Sequence, residues 1–148
     1  MKIALPDLAA MDRLGRAIAE ALWPDDVVAL EGGLGAGKTT LARAIIAGLG
    51  YQGEVPSPSF AIIEVYDPPA VRLPLIHADF YRLADPSEAD EIGLDDYRQG
   101  AALLAEWPDH AGGFKHEPGC LSITLEVAEE GRIAIVEAGA DWLGRIPQ

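Results

Sequence analysis

The sequence predicts an α/β protein with a mixed β-sheet flanked by helices and a β-hairpin near the C-terminus. Three observations support this prediction: a glycine-rich segment lies between an apolar run and a helix-competent run, further apolar runs end in acidic residues, and two late segments alternate apolar with polar residues. A chain of 148 residues is long enough to bury its own core, so we expect residues 1–148 to form a single domain.

The glycine-rich segment fits the pattern Gly-x-x-x-x-Gly-Lys-Thr between Gly32 and Thr39. The apolar run 27–30 precedes it, and the helix-competent run 41–49 follows it. Strand, glycine-rich loop and helix in this order form a P-loop, whose glycines let backbone N–H groups curl around phosphate. The sequence therefore predicts a P-loop NTPase-like domain that binds a nucleotide.

Two side chains at the end of this loop have predicted roles. Lys38 would contact the β- and γ-phosphates as a point charge, and the hydroxyl of Thr39 would bind Mg²⁺. The helix that follows would direct the positive end of its dipole at the same phosphates. We therefore expect both residues to bind a nucleoside triphosphate and its metal.

The first two helices are predicted from apolar spacing and from residues typical of helix ends. Pro6 and Asp7 would open the first helix, and Gly48 and Gly50 stand where the second should stop. The apolar residues at helical spacing in the first helix are Leu8, Met11, Leu14, Ile18 and Leu22.

The later elements are three strands, a helix and a hairpin. The predicted strands are residues 60–66, 71–78 and 101–105. A helix is expected to begin near Asp85, because acidic residues there suit a helix N-terminus. Segments 121–127 and 132–137 alternate apolar with polar residues around a turn, which indicates a hairpin.

The acidic composition bears on possible partners. The chain has 11 Lys and Arg against 24 Asp and Glu, a formal net charge of −13. Nucleic-acid binding draws most of its affinity from cationic contacts to phosphate, so we expect no strong direct binding of nucleic acid. Six acids between residues 85 and 96 are interpreted as a solvated face, with a binding surface as the alternative.

Other features indicate a cytoplasmic protein without a membrane partner. No apolar run approaches the length of a membrane span, and the N-terminus lacks a signal pattern. The single cysteine, Cys120, suits a reducing compartment and is interpreted as a small semi-buried side chain. Together with His110 and His116 it matches no zinc-site spacing, so we expect no zinc site in this loop.

Two acidic residues follow predicted strands, Asp79 and Glu106. Because ligands of open α/β sheets gather beyond the carboxyl ends of the strands, either could serve Mg²⁺ or orient an attacking water. Spacing does not rank them, and either could instead be a turn or cap residue. His77 would share a strand face with Asp79 and is interpreted as structural, and Trp107 as a packing residue.

Four blocks in this order resemble the TsaE family, bacterial P-loop ATPases needed to make threonylcarbamoyladenosine in tRNA. The blocks are Gly-Leu-Gly-Ala-Gly-Lys-Thr-Thr at 33–40, Ser-Pro-Ser-Phe at 57–60, His-Ala-Asp-Phe-Tyr-Arg-Leu at 77–83 and Glu-Trp-Pro at 106–108. One P-loop is generic, whereas four ordered blocks are specific. The similarity spans roughly residues 8 to 110.

The resemblance implies roles for individual residues. Glu106 would be the metal-side acid, with Thr39 holding Mg²⁺ directly. Asp79 would lie in a switch-like segment beside the γ-phosphate, and residues 57–60 would resemble the other switch. The first helix, around Leu8 and Met11, would lie near the adenine. The residues that would bind the phosphates of ATP are Leu34, Gly35, Ala36, Gly37, Lys38, Thr39 and Thr40.

The resemblance also implies protein partners, the TsaD and TsaB proteins, whose assembly ATP turnover would drive or reset. Three positions depart from the family pattern: Gly33 stands in the place of an Asp, Ser59 in that of a Thr and Met11 in that of a Thr. The last of these bears on the contacts near the adenine.

Two other functions remain open at this point. One is a small-molecule kinase, although the acidic region after Asp79 would repel an anionic acceptor. The other is a nucleotide-dependent switch that binds a partner without hydrolysis. No spacing marks Arg72, Arg82 or Arg98 as an arginine finger, and the absence of an Asn-Lys-x-Asp motif favours ATP over GTP.

Overall fold

The computed structural model describes residues 1–56 and 62–145, and the strands below are those of the described residues. They are β1 (Lys2–Leu5), β2 (Val27–Glu31), β3 (Ile63–Tyr66), β4 (Leu75–Asp79), β5 (Ala102–Glu106), β6 (Cys120–Val127) and β7 (Arg132–Ala138). All belong to one sheet in the order β1-β7-β6-β2-β5-β4-β3. The four central strands are parallel, and the outer ones pair antiparallel with their neighbours. The predicted mixed sheet is confirmed.

The helices are α1 (Leu8–Ala21), α2 (Lys38–Gly48), α3 (Ser87–Glu91) and α4 (Leu94–Arg98). The side chain of Asp7 caps α1 by accepting a hydrogen bond from the N–H of Ala10 at 2.8 Å. The helices α1 and α2 pack so closely that a Cβ on Gly15 would collide with Ala44. Among the described residues, no helix is long and apolar enough to cross a bilayer.

The sheet has an apolar layer on each face. On one face, α1 and α2 contribute residues such as Ile18 and Ile45, which pack with Leu30 of β2. On the other, Leu94 of α4 packs in a smaller cluster that includes Phe80. Because every residue of β4 and β5 is buried, the carboxyl ends of these strands are held rigidly beneath the loops that follow them.

Three predicted elements need correction. The strand predicted over 71–78 begins only at Leu75, because Arg72 is used elsewhere: its Nη2 donates to the carbonyls of Ala19 and Leu22 at the end of α1, at 2.6 and 3.0 Å. β3 starts at Ile63, and residues 60 and 61 of that prediction lie outside the described part of the chain.

The helix expected near Asp85 is divided into α3 and α4 because Gly93 adopts a left-handed φ of 79° between them. The strand β1 was not predicted, since four residues carry too short a pattern. It forms by antiparallel pairing with β7, with Leu5 opposite Arg132. The predicted hairpin is confirmed as β6 and β7, with Val127 opposite Arg132.

Candidate nucleotide-binding site

The P-loop connects the end of β2 to the start of α2 at the carboxyl edge of the parallel strands. Gly32 and Gly37 adopt φ values of 137° and 107°, which L side chains rarely adopt. A Cβ on Gly32 would lie 2.5 Å from the carbonyl oxygen of Leu125, and one on Gly37 would lie 3.1 Å from the Met11 Cε. The loop therefore rests against the hairpin and α1, and both positions require glycine.

A cleft of about 470 Å³ opens above this loop. The P-loop and the start of α2 form one wall, through Leu34, Gly35 and residues 37–40. Ala36, which the resemblance placed among the phosphate-binding residues, is buried and does not line the cleft. The other lining residues are Asp79, Tyr81, Arg82, Glu106 and Trp107. The structure thus brings the two strand-end acids of the sequence analysis to the same cleft as the phosphate-binding motif.

Three side chains, from β4, the end of β5 and the start of α2, form a hydrogen-bonded chain at the cleft. The hydroxyl of Thr39 donates to Glu106 Oε1 at 2.9 Å, and the other carboxylate oxygen, Oε2, lies 2.7 Å from His77 Nε2. His77 and Glu106 are only 0% and 2% exposed. Both oxygens of Glu106 are therefore hydrogen-bonded within the protein, and these bonds alone fix the orientation of its carboxylate.

The hydrogen bond from His77 defines its tautomer. An ionised carboxylate only accepts hydrogen bonds, so Nε2 must carry the proton that reaches Glu106. Nδ1 is buried, and within the described residues it has no hydrogen-bond partner. His77 thus acts on Glu106 alone, which agrees with the structural interpretation of this residue and gives it a specific task.

Lys38 is held at the base of the cleft. Its Nζ donates to the carbonyl oxygens of Gly32 and Gly33, both at 2.8 Å, and lies 4.4 Å from the centroid of the Trp107 ring. Burial lowers the pKa of Lys38, whereas the negative charges of Glu106 and Asp79 act in the opposite direction. A cation that is poorly solvated in this way attracts phosphate more strongly than an exposed one.

Asp79 ends β4 directly beside Glu106 at the end of β5, and the two residues are register partners. Its Oδ1 accepts a hydrogen bond from the N–H of Tyr81 at 2.9 Å. This turn fixes the direction of the carboxylate at the edge of the cleft. The cleft therefore has two acids at neighbouring strand ends, as the sequence analysis anticipated for a P-loop protein.

An aromatic cluster that no pattern in the sequence indicated lies at the rim of the cleft. The ring of Trp107 packs against Tyr81 and His110, with centroids 4.9 and 5.4 Å apart. His110 Nδ1 lies 2.9 Å from the carbonyl oxygen of Tyr81. Trp107 thus packs as interpreted, but it also covers Lys38, and no spacing in the sequence indicated that contact.

His116 and Cys120, which the sequence analysis considered with His110 for a zinc site, do not line the cleft. The His116 side chain is 74% exposed. Cys120 begins β6 and is buried, and burial raises the pKa of its thiol to about 12. That thiol is correspondingly unreactive.

A second cavity of about 290 Å³ adjoins the P-loop on the side away from Glu106. It shares Gly35, Gly37 and Thr40 with the first. Its apolar wall comes from α1, through Leu8, which is 75% exposed, and Met11, which is 4% exposed. These are the residues for which the resemblance implied a place near the adenine. Residues 57–60, the implied second switch, lie outside the described residues.

Arg132, which the sequence analysis did not select, closes this second cavity from the hairpin. Its Nε donates to the carbonyl of Ala36 at 2.9 Å, and its Nη2 to that of Gly35 at 3.1 Å. Residues 36 and 132 are far apart in the chain, so no local pattern could have revealed the contact.

The chain is similar to known proteins both in sequence and in fold. A family profile described as "Threonylcarbamoyl adenosine biosynthesis protein TsaE" matches residues 5–134. A Haemophilus influenzae protein, named tRNA threonylcarbamoyladenosine biosynthesis protein TsaE, is 36% identical over 134 residues, which cover 86% of this chain and 83% of that protein. A Bacillus subtilis protein of the same name is 48% identical over 85 residues, or 57% and 51% of the two chains. The crystal structure of Bacillus subtilis YdiB matches 98% of this chain and 90% of its own, with a TM-score of 0.77 and 29% identity.

Proposed function

Because the chain belongs to the TsaE family, we propose that it is a Mg²⁺-dependent ATPase required for the threonylcarbamoyladenosine modification of tRNA. The observation that carries the proposal is the 2.9 Å hydrogen bond between Thr39 and Glu106 beside the P-loop lysine. It joins a hydroxyl and a buried carboxylate, the two kinds of protein ligand that a P-loop metal site needs. The tRNA modification is the role given in the names of the relatives from H. influenzae and B. subtilis.

The phosphates of ATP bind along the P-loop in this proposal. Backbone N–H groups from Leu34 to Thr40 and the N-terminus of α2 supply hydrogen bonds and partial positive charge. Lys38 turns from the carbonyls of Gly32 and Gly33 to the β- and γ-phosphates. Its low solvation in the cleft strengthens that attraction.

Thr39 and Glu106 fit Mg²⁺ because both offer hard oxygen ligands. Among residues 1–56 and 62–145, no three His, Cys, Asp or Glu side chains are grouped to hold a metal. A divalent ion here would accordingly depend on phosphate and water for its other ligands, which is the usual situation of Mg²⁺. When bound, Mg²⁺ would neutralise the charge that develops on the phosphates during transfer.

The two acids have different roles in this proposal. Both oxygens of Glu106 are already engaged, by Thr39 and His77, which suits a residue that holds a metal or its water in a fixed place. Asp79 lies at the neighbouring strand end with its carboxylate directed by Tyr81. We assign to Asp79 the orientation of the water that attacks the γ-phosphate.

The adenine is assigned to the second cavity, against Leu8 and Met11. An apolar wall suits the face of a base, and the shared residues Gly35 and Gly37 connect this cavity to the phosphate loop.

The partner in this proposal is the TsaD–TsaB assembly in the cytoplasm, and turnover by the chain alone is slow. Two of the three arginines considered as a finger are engaged elsewhere: Arg72 at the end of α1 and Arg98 with Glu117. Arg82 lines the cleft. The rim residues Leu34 and Tyr81 are 74% and 46% exposed, which suits a partner that closes over the nucleotide. A net charge of −13 fits action on tRNA through a protein rather than by direct contact.

The test is ATP turnover by the purified chain, measured with Mg²⁺ or with EDTA, and with or without TsaD–TsaB. We expect slow, Mg²⁺-dependent hydrolysis that the partner accelerates and that Glu106→Gln removes. The exposed Glu137 provides the control variant Glu137→Gln. Tight ATP binding with no turnover under any condition would favour a non-hydrolytic switch. A phosphorylated metabolite as product would favour a kinase.

A further inference from the structure

The turn of the β6–β7 hairpin is fixed against the start of the chain. Gly131 adopts a left-handed φ of 69°, and a Cβ there would collide with the backbone of Leu5 and Pro6. The next residue, Arg132, pairs with both Leu5 of β1 and Val127 of β6. Its backbone is therefore immobilised from two sides, and its side chain starts from a rigid base.

The guanidinium of Arg132 binds three carbonyl oxygens. Nε and Nη2 donate to Ala36 and Gly35 of the P-loop at 2.9 and 3.1 Å, and Nη1 donates to Gly131 at 2.9 Å. These bonds are charge-assisted, and the planar group fixes their directions together. The partners on the loop are backbone atoms, so the bonds orient peptide units rather than side chains.

The peptide units in question are those that a phosphate loop must orient. In a trans peptide, the C=O of one residue and the N–H of the next point in opposite directions. Carbonyls of Gly35 and Ala36 held outward by Arg132 therefore direct the N–H groups of Ala36 and Gly37 away from the hairpin, where the N–H of Ala36 donates to the carbonyl of Gly33 at 3.2 Å. Converging N–H groups of this kind are what bind a phosphate.

We propose that Arg132 is a positioning residue of the P-loop, which holds its central peptide units in the orientation that binds phosphate. The inference rests on the proposed nucleotide binding and adds a residue to the same site. Lys38 binds the carbonyls of Gly32 and Gly33 on the preceding part of the loop, but it must leave them to reach a nucleotide. Arg132 approaches the loop from the hairpin and does not line the cleft assigned to the phosphates, so we expect its bonds to persist when ATP binds.

Arg132 also lines the second cavity with Leu8 and Met11, so a contact with the base has to be distinguished from positioning of the loop. Inorganic tripolyphosphate carries the phosphates without a base. A residue that positions the loop affects tripolyphosphate and ATP alike, whereas a residue that only contacts the base affects ATP alone.

The experiment is calorimetric titration of Mg²⁺–ATP and Mg²⁺–tripolyphosphate into the wild-type chain, Arg132→Gln and Arg132→Lys. We expect Arg132→Gln to weaken both ligands by a similar factor, roughly 10- to 100-fold, which corresponds to the loss of charge-assisted hydrogen bonds. Arg132→Lys should be intermediate, since an ammonium group lacks the planar geometry that holds two carbonyls. Arg16→Gln, at an exposed pair with Asp12, is the control and should bind both ligands as the wild type does.

Unchanged binding of both ligands in Arg132→Gln, or a loss confined to ATP, overturns the inference. Amide hydrogen exchange provides a second readout that needs no ligand: the N–H of Ala36, which donates to the carbonyl of Gly33 at 3.2 Å, should exchange faster in the folded Arg132→Lys variant, while the N–H groups of the central strands should not. Exchange that is unchanged at the loop also overturns it. If the wild type binds neither ligand, the proposed function itself fails, and this result is distinct from the other outcomes.

Discussion

The two sides of the P-loop are built in different ways. On the metal side, Thr39, Glu106 and His77 form a connected set of side-chain hydrogen bonds at the ends of buried parallel strands. On the base side, Leu8 and Met11 offer an apolar wall, of which Leu8 is 75% exposed. There the loop is held from outside, through its backbone, by Arg132.

Because of this difference, substitutions on the two sides should differ in their effects on stability and ATP binding. The metal side buries charge, and a buried charge that loses its partner costs far more than an exposed one. The base side depends on apolar contact and shape, which tolerate exchange of similar volumes. Met11, where the resemblance implies a Thr, falls on the tolerant side. We therefore expect substitutions on the metal side to reduce ATP binding, hydrolysis or stability much more than substitutions on the base side.

The largest effect is expected at Lys38, which serves both sides. Lys38→Ala removes the cation proposed to pair with the β- and γ-phosphates, so ATP affinity should fall by about 100-fold or more. Calorimetric titration measures the loss directly. Lys115→Ala is the matched control, because that lysine is half exposed and pairs with Glu31 outside the cleft. ATP affinity within threefold of the wild type in Lys38→Ala would contradict the phosphate assignment.

The next effect tests the metal side. Glu106→Gln keeps the shape of the side chain but removes the charge, so Mg²⁺-dependent hydrolysis should fall by about 100-fold. Binding of ATP in EDTA should change much less, because the phosphates remain on the loop. A hydrolysis assay with Mg²⁺ and a calorimetric titration of ATP in EDTA measure the two losses. An equal loss in both would mean that Glu106 supports the loop rather than the metal.

A smaller effect is expected at His77, which holds Glu106. His77→Leu leaves a buried carboxylate without one of its two hydrogen-bond donors, so the free energy of unfolding should fall by about 2 to 4 kcal/mol. The Mg²⁺ concentration required for hydrolysis should rise as well. His77→Gln retains a donor of similar reach and should recover much of both quantities. Urea unfolding and a Mg²⁺ titration measure them, with His116→Leu at an exposed site as the control. If His77→Gln lost as much stability and required as much Mg²⁺ as His77→Leu, the contribution of His77 would not come from its hydrogen bond to Glu106.

The smallest effect is expected on the base side. Met11→Thr introduces the residue that the resemblance implies and removes part of the apolar wall, so ATP affinity should change by less than about tenfold. Binding of tripolyphosphate should not change, because the phosphate loop is untouched. A large loss of tripolyphosphate binding in this variant would mean that Met11 supports Gly37 rather than the base, and would remove the contrast between the two sides.

The extent to which the sequence predicted this site follows the same division. The P-loop and the two strand-end acids were predictable, because the motif is local and buried strands with terminal acids have a recognisable pattern. The bond between Glu106 and His77 was not, since it joins side chains on neighbouring strands whose order the sequence does not reveal. The contact between Arg132 and the loop was not predictable for the same reason.

The fold shows a similar limit. The hairpin and α1 follow from alternation, spacing and a capping Asp7, all within one segment. β1 depends on pairing with β7 at the other end of the chain, and the segment before Leu75 depends on carbonyls at the end of α1. In both places a tertiary contact decides the local structure.

The most direct test of the account is a crystal structure of the chain with Mg²⁺ and a non-hydrolysable ATP analogue. We expect the phosphates on the P-loop with Lys38 turned towards them, the metal beside Thr39 and Glu106, and the base against Leu8 and Met11. Phosphates bound away from the loop, or a metal held by residues other than Thr39 and Glu106, would contradict it.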